Sequence, residues 1–95
     1  KFQVHDIIAV AYEDDFYVSE VMNVVSRDEI EISSMARYGT SFRWPTKPDT
    51  AITHRNFVLR AIPELAPSKN NTRYSNLENY QEVVREYHNY SEKYF

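Results

Sequence analysis

The chain has no cysteine and a single glycine, Gly39, in its 95 residues. Without cysteine there is no disulfide framework, no thiolate zinc module and no thiol nucleophile. One glycine leaves no room for a phosphate-cradling loop, and Gly-x-Gly-x-x-Gly, Gly-Lys-Ser/Thr and Gly-x-Ser-x-Gly are all missing. Three separated histidines, His5, His54 and His88, do not furnish a closed four-ligand metal site by themselves. No apolar run approaches the ~18–20 residues of a membrane helix, and Lys1-Phe2-Gln3 opens no hydrophobic signal segment, so an intracellular setting is expected. Lys1 in place of Met suggests a piece of a longer protein. These absences point away from an enzyme and away from a metal or cofactor, and towards one compact binding domain.

Aromatic rings are abundant: eight Tyr, five Phe and one Trp. The net charge of −3 hides a division along the chain, with −6 over residues 1–36, +5 over 37–74 and −2 over 75–95. The basic block carries Arg37, Arg43, Lys47, Arg55 and Arg60. Opposed blocks can pack as solvated faces, or the basic one can meet phosphates. A pI near 5.6 argues against a dedicated DNA binder.

Hydrophobic periodicity predicts five strands and a helix. Val4 to Tyr12 is apolar on both parities and reads as a strand buried on both faces; Glu13-Asp14-Asp15 breaks it. Phe16 to Val25 and Ile30 to Tyr38 alternate at period two, separated by the polar turn Ser26 to Glu29. Phe42 to Trp44 is a short strand ended by Pro45, and Phe57 to Ile62 a fifth, preceded by a helical turn over Thr53 to Asn56. Residues 63–74, rich in Pro and Asn, read as a linker. Ser75-Asn76-Leu77-Glu78 has the form of a capping box, so a helix is expected over 75–95, with Leu77, Tyr80, Val84, Tyr87 and Tyr94 along one seam. That seam needs a cover, supplied either by the strands or by a partner, a second copy included. The expected architecture is mainly β: a small five-stranded SH3-like barrel over 1–62, followed by the amphipathic helix.

Tyr12, Tyr17, Tyr38 and Phe42 all fall at strand ends, which a curled five-stranded sheet brings to one rim. Beside Asp14 and Asp15 such rings suit a methylated ammonium or guanidinium; the other reading is that they fill the end of the core. Trp44 and Phe57 are expected in the core. Adjacent turn acids and the histidines read as solvated or turn residues. Asn70-Asn71-Thr72 and Asn89-Tyr90-Ser91 match a glycosylation sequon by letter only.

The segment Val4 to Val21, with an Asp turn leading into an apolar strand that ends in an aromatic, then an acidic loop and an aromatic pair, resembles the opening of a Tudor domain. Where that family usually has Gly before the Asp, this chain has His5. The resemblance covers about residues 4–62. It implies a non-catalytic module that reads methylated Lys or Arg, with the cage on Tyr12, Tyr17, Tyr38 and Phe42 and the acids at Asp14 and Asp15, or that binds an unmodified peptide along the rim or an exposed sheet edge. It also implies a nuclear or RNA-associated partner such as a histone peptide. Nucleic-acid binding through Arg37, Arg43, Lys47, Arg55 and Arg60, with a ring stacking on a base, is the alternative.

Overall fold

The computed structural model describes residues 2–63, 65 and 75–94. It is mainly β with a C-terminal helix, but the strands divide into two sheets. In chain order they are β1 (Ile7–Ala11), β2 (Phe16–Val24), β3 (Glu29–Ser34), β4 (Ala36–Tyr38), β5 (Ser41–Arg43), β6 (Thr50–His54), β7 (Val58–Ala61) and β8 (Ser75–Asn76), followed by α1 (Tyr80–Tyr94). A five-stranded antiparallel sheet runs β6-β3-β2-β1-β7, and a three-stranded one runs β4-β5-β8. Among the described residues no pairing joins β6 to β7, so the larger sheet stays open and the expected closed barrel is not formed.

The differences from the sequence pattern have local causes. The expected third strand is broken at Met35, whose N–H turns to the carbonyl of Val18 (2.8 Å) and sends the chain from one sheet into the other. β6 lay hidden because Thr50 to His54 is half exposed and follows two prolines; only its last residues join the helical turn, which spans Arg55–Phe57 with His54 as its N-cap. Ser75 does not cap a helix, because Ser75 and Asn76 pair with Phe42 and Ser41. The helix instead starts after Asn79, whose carbonyl accepts from the N–H groups of Glu82 and Val83 at 3.0 and 3.1 Å. The 63–74 linker lies almost entirely outside the described residues.

β1 is buried along its whole length, as its double-sided apolar pattern requires. Ile7, Ala9 and Ala11 enter a core shared with Phe16, Val18, Phe42, Trp44, Leu77, Val83 and Tyr87; Ile8 and Val10 enter a second core with Val21, Ile30 and Ile32. Phe57 is only partly buried, against the second core. The helix seam is covered within the chain. Tyr80, Val83, Val84, Tyr87 and Tyr90 recur at three- and four-residue spacing towards the first core. Val83 and Tyr90 belong to this stripe and were absent from the expected seam, whereas Tyr94 leaves it, 58% exposed. This helix is neither long nor apolar enough to cross a membrane.

Two turns depend on positive φ. Gly39 (φ 61) is the first residue of the two-residue turn joining β4 to β5, the position where a hairpin favours glycine. His5 (φ 78) is the third residue of a turn closed by Asp6 N–H donating to the Gln3 carbonyl at 3.0 Å. Its own N–H reaches the Val21 carbonyl (2.7 Å), and its Nδ1 is hydrogen-bonded at 2.5 Å to the carboxylate of Glu20, which is 1% exposed. A buried carboxylate that loses a partner costs more than an exposed one, so His5→Ala combines that loss with left-handed strain. It is expected to lower stability by about 2–4 kcal/mol in urea unfolding. His5→Asn, which tolerates the same backbone conformation, is expected to lose less; equal losses for the two would contradict this account.

Candidate functional site

The β1–β2 turn brings Tyr12 and Tyr17 together at 5.2 Å between ring centroids, with their planes 86° apart. Tyr12 N–H donates to the Asp15 carbonyl (2.8 Å), which tightens the turn. The Tyr17 hydroxyl donates to Asp14 Oδ2 at 3.1 Å. From the helix, the Tyr87 hydroxyl reaches the carbonyls of Tyr12 (2.7 Å) and Glu13 (3.0 Å), so the acidic loop is tied down from behind. In front of the tyrosines lies an open cleft of about 670 Å³, walled by Tyr12, Tyr17, Asp15, Asp49, Ala51 and Arg37 among others.

The four rings expected at one rim separate into two groups. Tyr12 and Tyr17 line the cleft. Phe42 does not: it is 0% exposed and packs 6.1 Å from Phe16. Tyr38, 75% exposed, is not among the cleft residues. The reason is register. In the β4–β5 hairpin Arg37 pairs with Phe42 and Tyr38 with Ser41, so Tyr38 and Phe42 take opposite faces. Asp15 faces the cleft, while Asp14 stands behind Tyr17 as its hydrogen-bond partner.

The residue that sequence reasoning misplaced is Arg37. Its side chain is 14% exposed and forms an ion pair with Asp15 Oδ1 at 2.9 Å. Its Nη1 donates to the Phe16 carbonyl (2.7 Å), its Nη2 to the Tyr80 hydroxyl (2.5 Å) and its Nε to the Gly39 carbonyl (3.0 Å). The guanidinium carbon lies 4.7, 5.3 and 5.7 Å from the ring centroids of Phe16, Phe42 and Tyr80. An aromatic and acidic box for a cation therefore exists inside the fold, and the chain fills it itself. The remaining basic residues of the block lie on separate elements. Arg43 is on β5, Lys47 in the following loop and Arg55 in the helical turn, while Arg60 on β7 is ion-paired with Glu86 at 3.4 Å. Asp49, also in the wall of the cleft, was not singled out from the sequence as a site residue; its place follows from the unexpected β6, which it immediately precedes.

The phenols respond to this setting. Tyr17 is held above its ordinary value of 10.0, first by lost hydration, then by its bond to Asp14 and the negative charge of Asp14 and Asp15. Tyr87 is also raised, by burial and then chiefly by Asp15. Among the described residues no three His, Asp or Glu side chains cluster as metal ligands. No protein-family model, curated protein or solved structure matches the chain.

Two outcomes follow. Arg37→Met removes one ion pair and three hydrogen bonds around a mostly buried group and leaves Asp15 only its bond from the Phe16 N–H. Thermal or urea unfolding is expected to show a loss of about 2–4 kcal/mol, and a loss under about 0.5 kcal/mol would contradict the clamp. For the phenols, a folded value above the unfolded one means the folded state holds its protons longer. Their contribution is complete below pH 10 and disappears as pH rises through the raised folded values. Stability is therefore expected to fall on going above pH 10, less steeply in Tyr87→Phe than in the parent chain.

Proposed function

We propose that the chain is a non-catalytic, Tudor-like interaction module that takes a cationic peptide side chain, a methylated Lys or Arg, against the cleft-facing surface of Tyr12 and Tyr17. The observation that carries this reading is the perpendicular tyrosine pair opening onto a cleft with Asp15 and Asp49 in its walls. Ring faces attract cations, Asp49 adds charge of the right sign while Asp15 is shared with Arg37, and methyl groups gain from contact with the rings. The left-handed His5, standing where the resembling family has glycine, supports the same reading. Tyr38 and Phe42 are no part of this revised site. A protein partner in a nuclear or RNA-associated assembly, such as a histone tail, is the setting the resemblance suggests. The basic segment gives less support to nucleic-acid binding, because Arg37 and Arg60 are held by Asp15 and Glu86.

The test is a ¹H–¹⁵N titration with short peptides bearing dimethylarginine, trimethyllysine or the unmodified residue. Methylated peptides are expected to shift Tyr12, Asp15, Tyr17 and Asp49 selectively. Tyr17→Ala is expected to weaken binding by roughly 2–30-fold, the range of one cation–π contact. Identical responses to methylated and unmethylated peptides would remove the methyl-reading claim.

A further inference from the structure

The edge of the larger sheet next to the cleft is uncovered. β6 pairs only with β3 among the described residues, and Thr50, Ala51 and Ile52 are exposed. The ladder's phase is fixed at both ends: Ser34 N–H donates to the Asp49 carbonyl (2.9 Å) and Arg55 N–H to the Asp28 carbonyl (2.8 Å). In an antiparallel pair the hydrogen-bonded positions alternate, so Ala51 and Thr53 direct their backbone groups to β3. Thr50, Ile52 and His54 direct theirs outward. The opposite edge is different. On β7, Leu59 packs into the first core and Arg60 is tied to the helix through Glu86.

Side-chain parity makes the open edge specific. Asp49 and Ala51 line the cleft, so odd-numbered positions of this strand face the tyrosines. Ile52 faces the other way, 60% exposed. We infer that β6 accepts an extended peptide as an added strand, in which a Lys or Arg opposite Ala51 enters the acidic cleft and an apolar β-branched neighbour lies beside Ile52. The inference rests on the cation-binding reading of the cleft and specifies how a partner reaches it. The occupant is assigned by charge: the Arg37–Asp15 ion pair in the cleft wall largely cancels, so Asp49, which immediately precedes β6, leaves the cleft end of the edge net negative, and complementary charge there belongs on the added strand. Added strands lie about 4.8 Å from their neighbour, which leaves the side chain opposite Ala51 at the mouth of the cleft.

The experiment uses three probes on the whole chain, read by ¹H–¹⁵N shifts and amide exchange. They are free dimethylarginine, a capped seven-residue peptide of alternating Thr and Val with dimethylarginine at its centre, and the same peptide N-methylated on the backbone amides flanking the centre. The unblocked peptide is expected to bind about tenfold or more tighter than the free amino acid, to protect the Thr50, Ile52 and His54 amides, and to lose that gain on N-methylation. Ile52→Pro removes an outward N–H while leaving the β3 ladder intact, and is expected to abolish the gain without affecting free dimethylarginine. Ile52→Lys, which keeps the N–H, is expected to retain amide protection, and unchanged binding of free dimethylarginine by the proline variant shows that its loss is not due to misfolding. Equal affinity for all three probes with no protection at β6 overturns the edge while sparing the cleft. Protection at β6 without shifts at Tyr12 and Tyr17 sinks the cleft reading instead. A concentration-dependent dimer that buries the same amides replaces the peptide by a second copy and overturns the assignment.

Discussion

The Arg37 guanidinium is the point on which the arrangement turns. A planar cation with several donors is the one side chain able to meet Asp15, two backbone carbonyls, the Tyr80 hydroxyl and three ring faces at once. Through it the β1–β2 loop, the β4–β5 hairpin and the helix share one partner. Lysine, a point charge without the fork, does not reproduce this set of contacts. The hairpin needs it most: three-residue strands are marginal on their own, and their inner face is little more than Phe42 and the arginine.

The position of the cleft follows. Because Arg37 draws Asp15 inward and Tyr87 holds the carbonyls of Tyr12 and Glu13, the turn between β1 and β2 has little freedom, and the two tyrosines it carries are fixed at right angles. A preset pair of rings loses less conformational freedom on binding than one assembled around its guest. The helix therefore supports the cleft from the rear, although none of its residues lines it.

Much of this was readable beforehand, and the failures are instructive. β1 and β2 were legible because both parities of Ile7 to Ala11 are apolar and Phe16 to Val24 is rich in β-branched and aromatic residues. The tyrosine pair at the ends of those strands was legible for the same reason. β6 was not, since an edge strand such as Thr50 to His54 carries no continuous apolar face. Missing it removed a wall of the cleft and suggested a barrel. Tyr38 and Phe42 were grouped by strand order, but a hairpin register one residue removed inverts every side chain, and register is written in tertiary pairing rather than in local pattern. Arg37 looked like a solvated charge, because nothing in Arg37-Tyr38-Gly39 announces that Phe16, Phe42 and Tyr80, far apart in sequence, will surround it.

One cation is thus held from within, and the site proposed for a second is the open cleft beside it; that division is the central claim. The Arg37 Nε–H resonance, followed by ¹H–¹⁵N NMR while dimethylarginine is added, tests it most directly. The account predicts a single resolved Nε–H signal that stays slow to exchange with and without the ligand, while the Tyr17 ring signals shift. An Nε–H signal exchanging as fast as that of a free arginine, or one that loses its protection as the ligand enters, would contradict it.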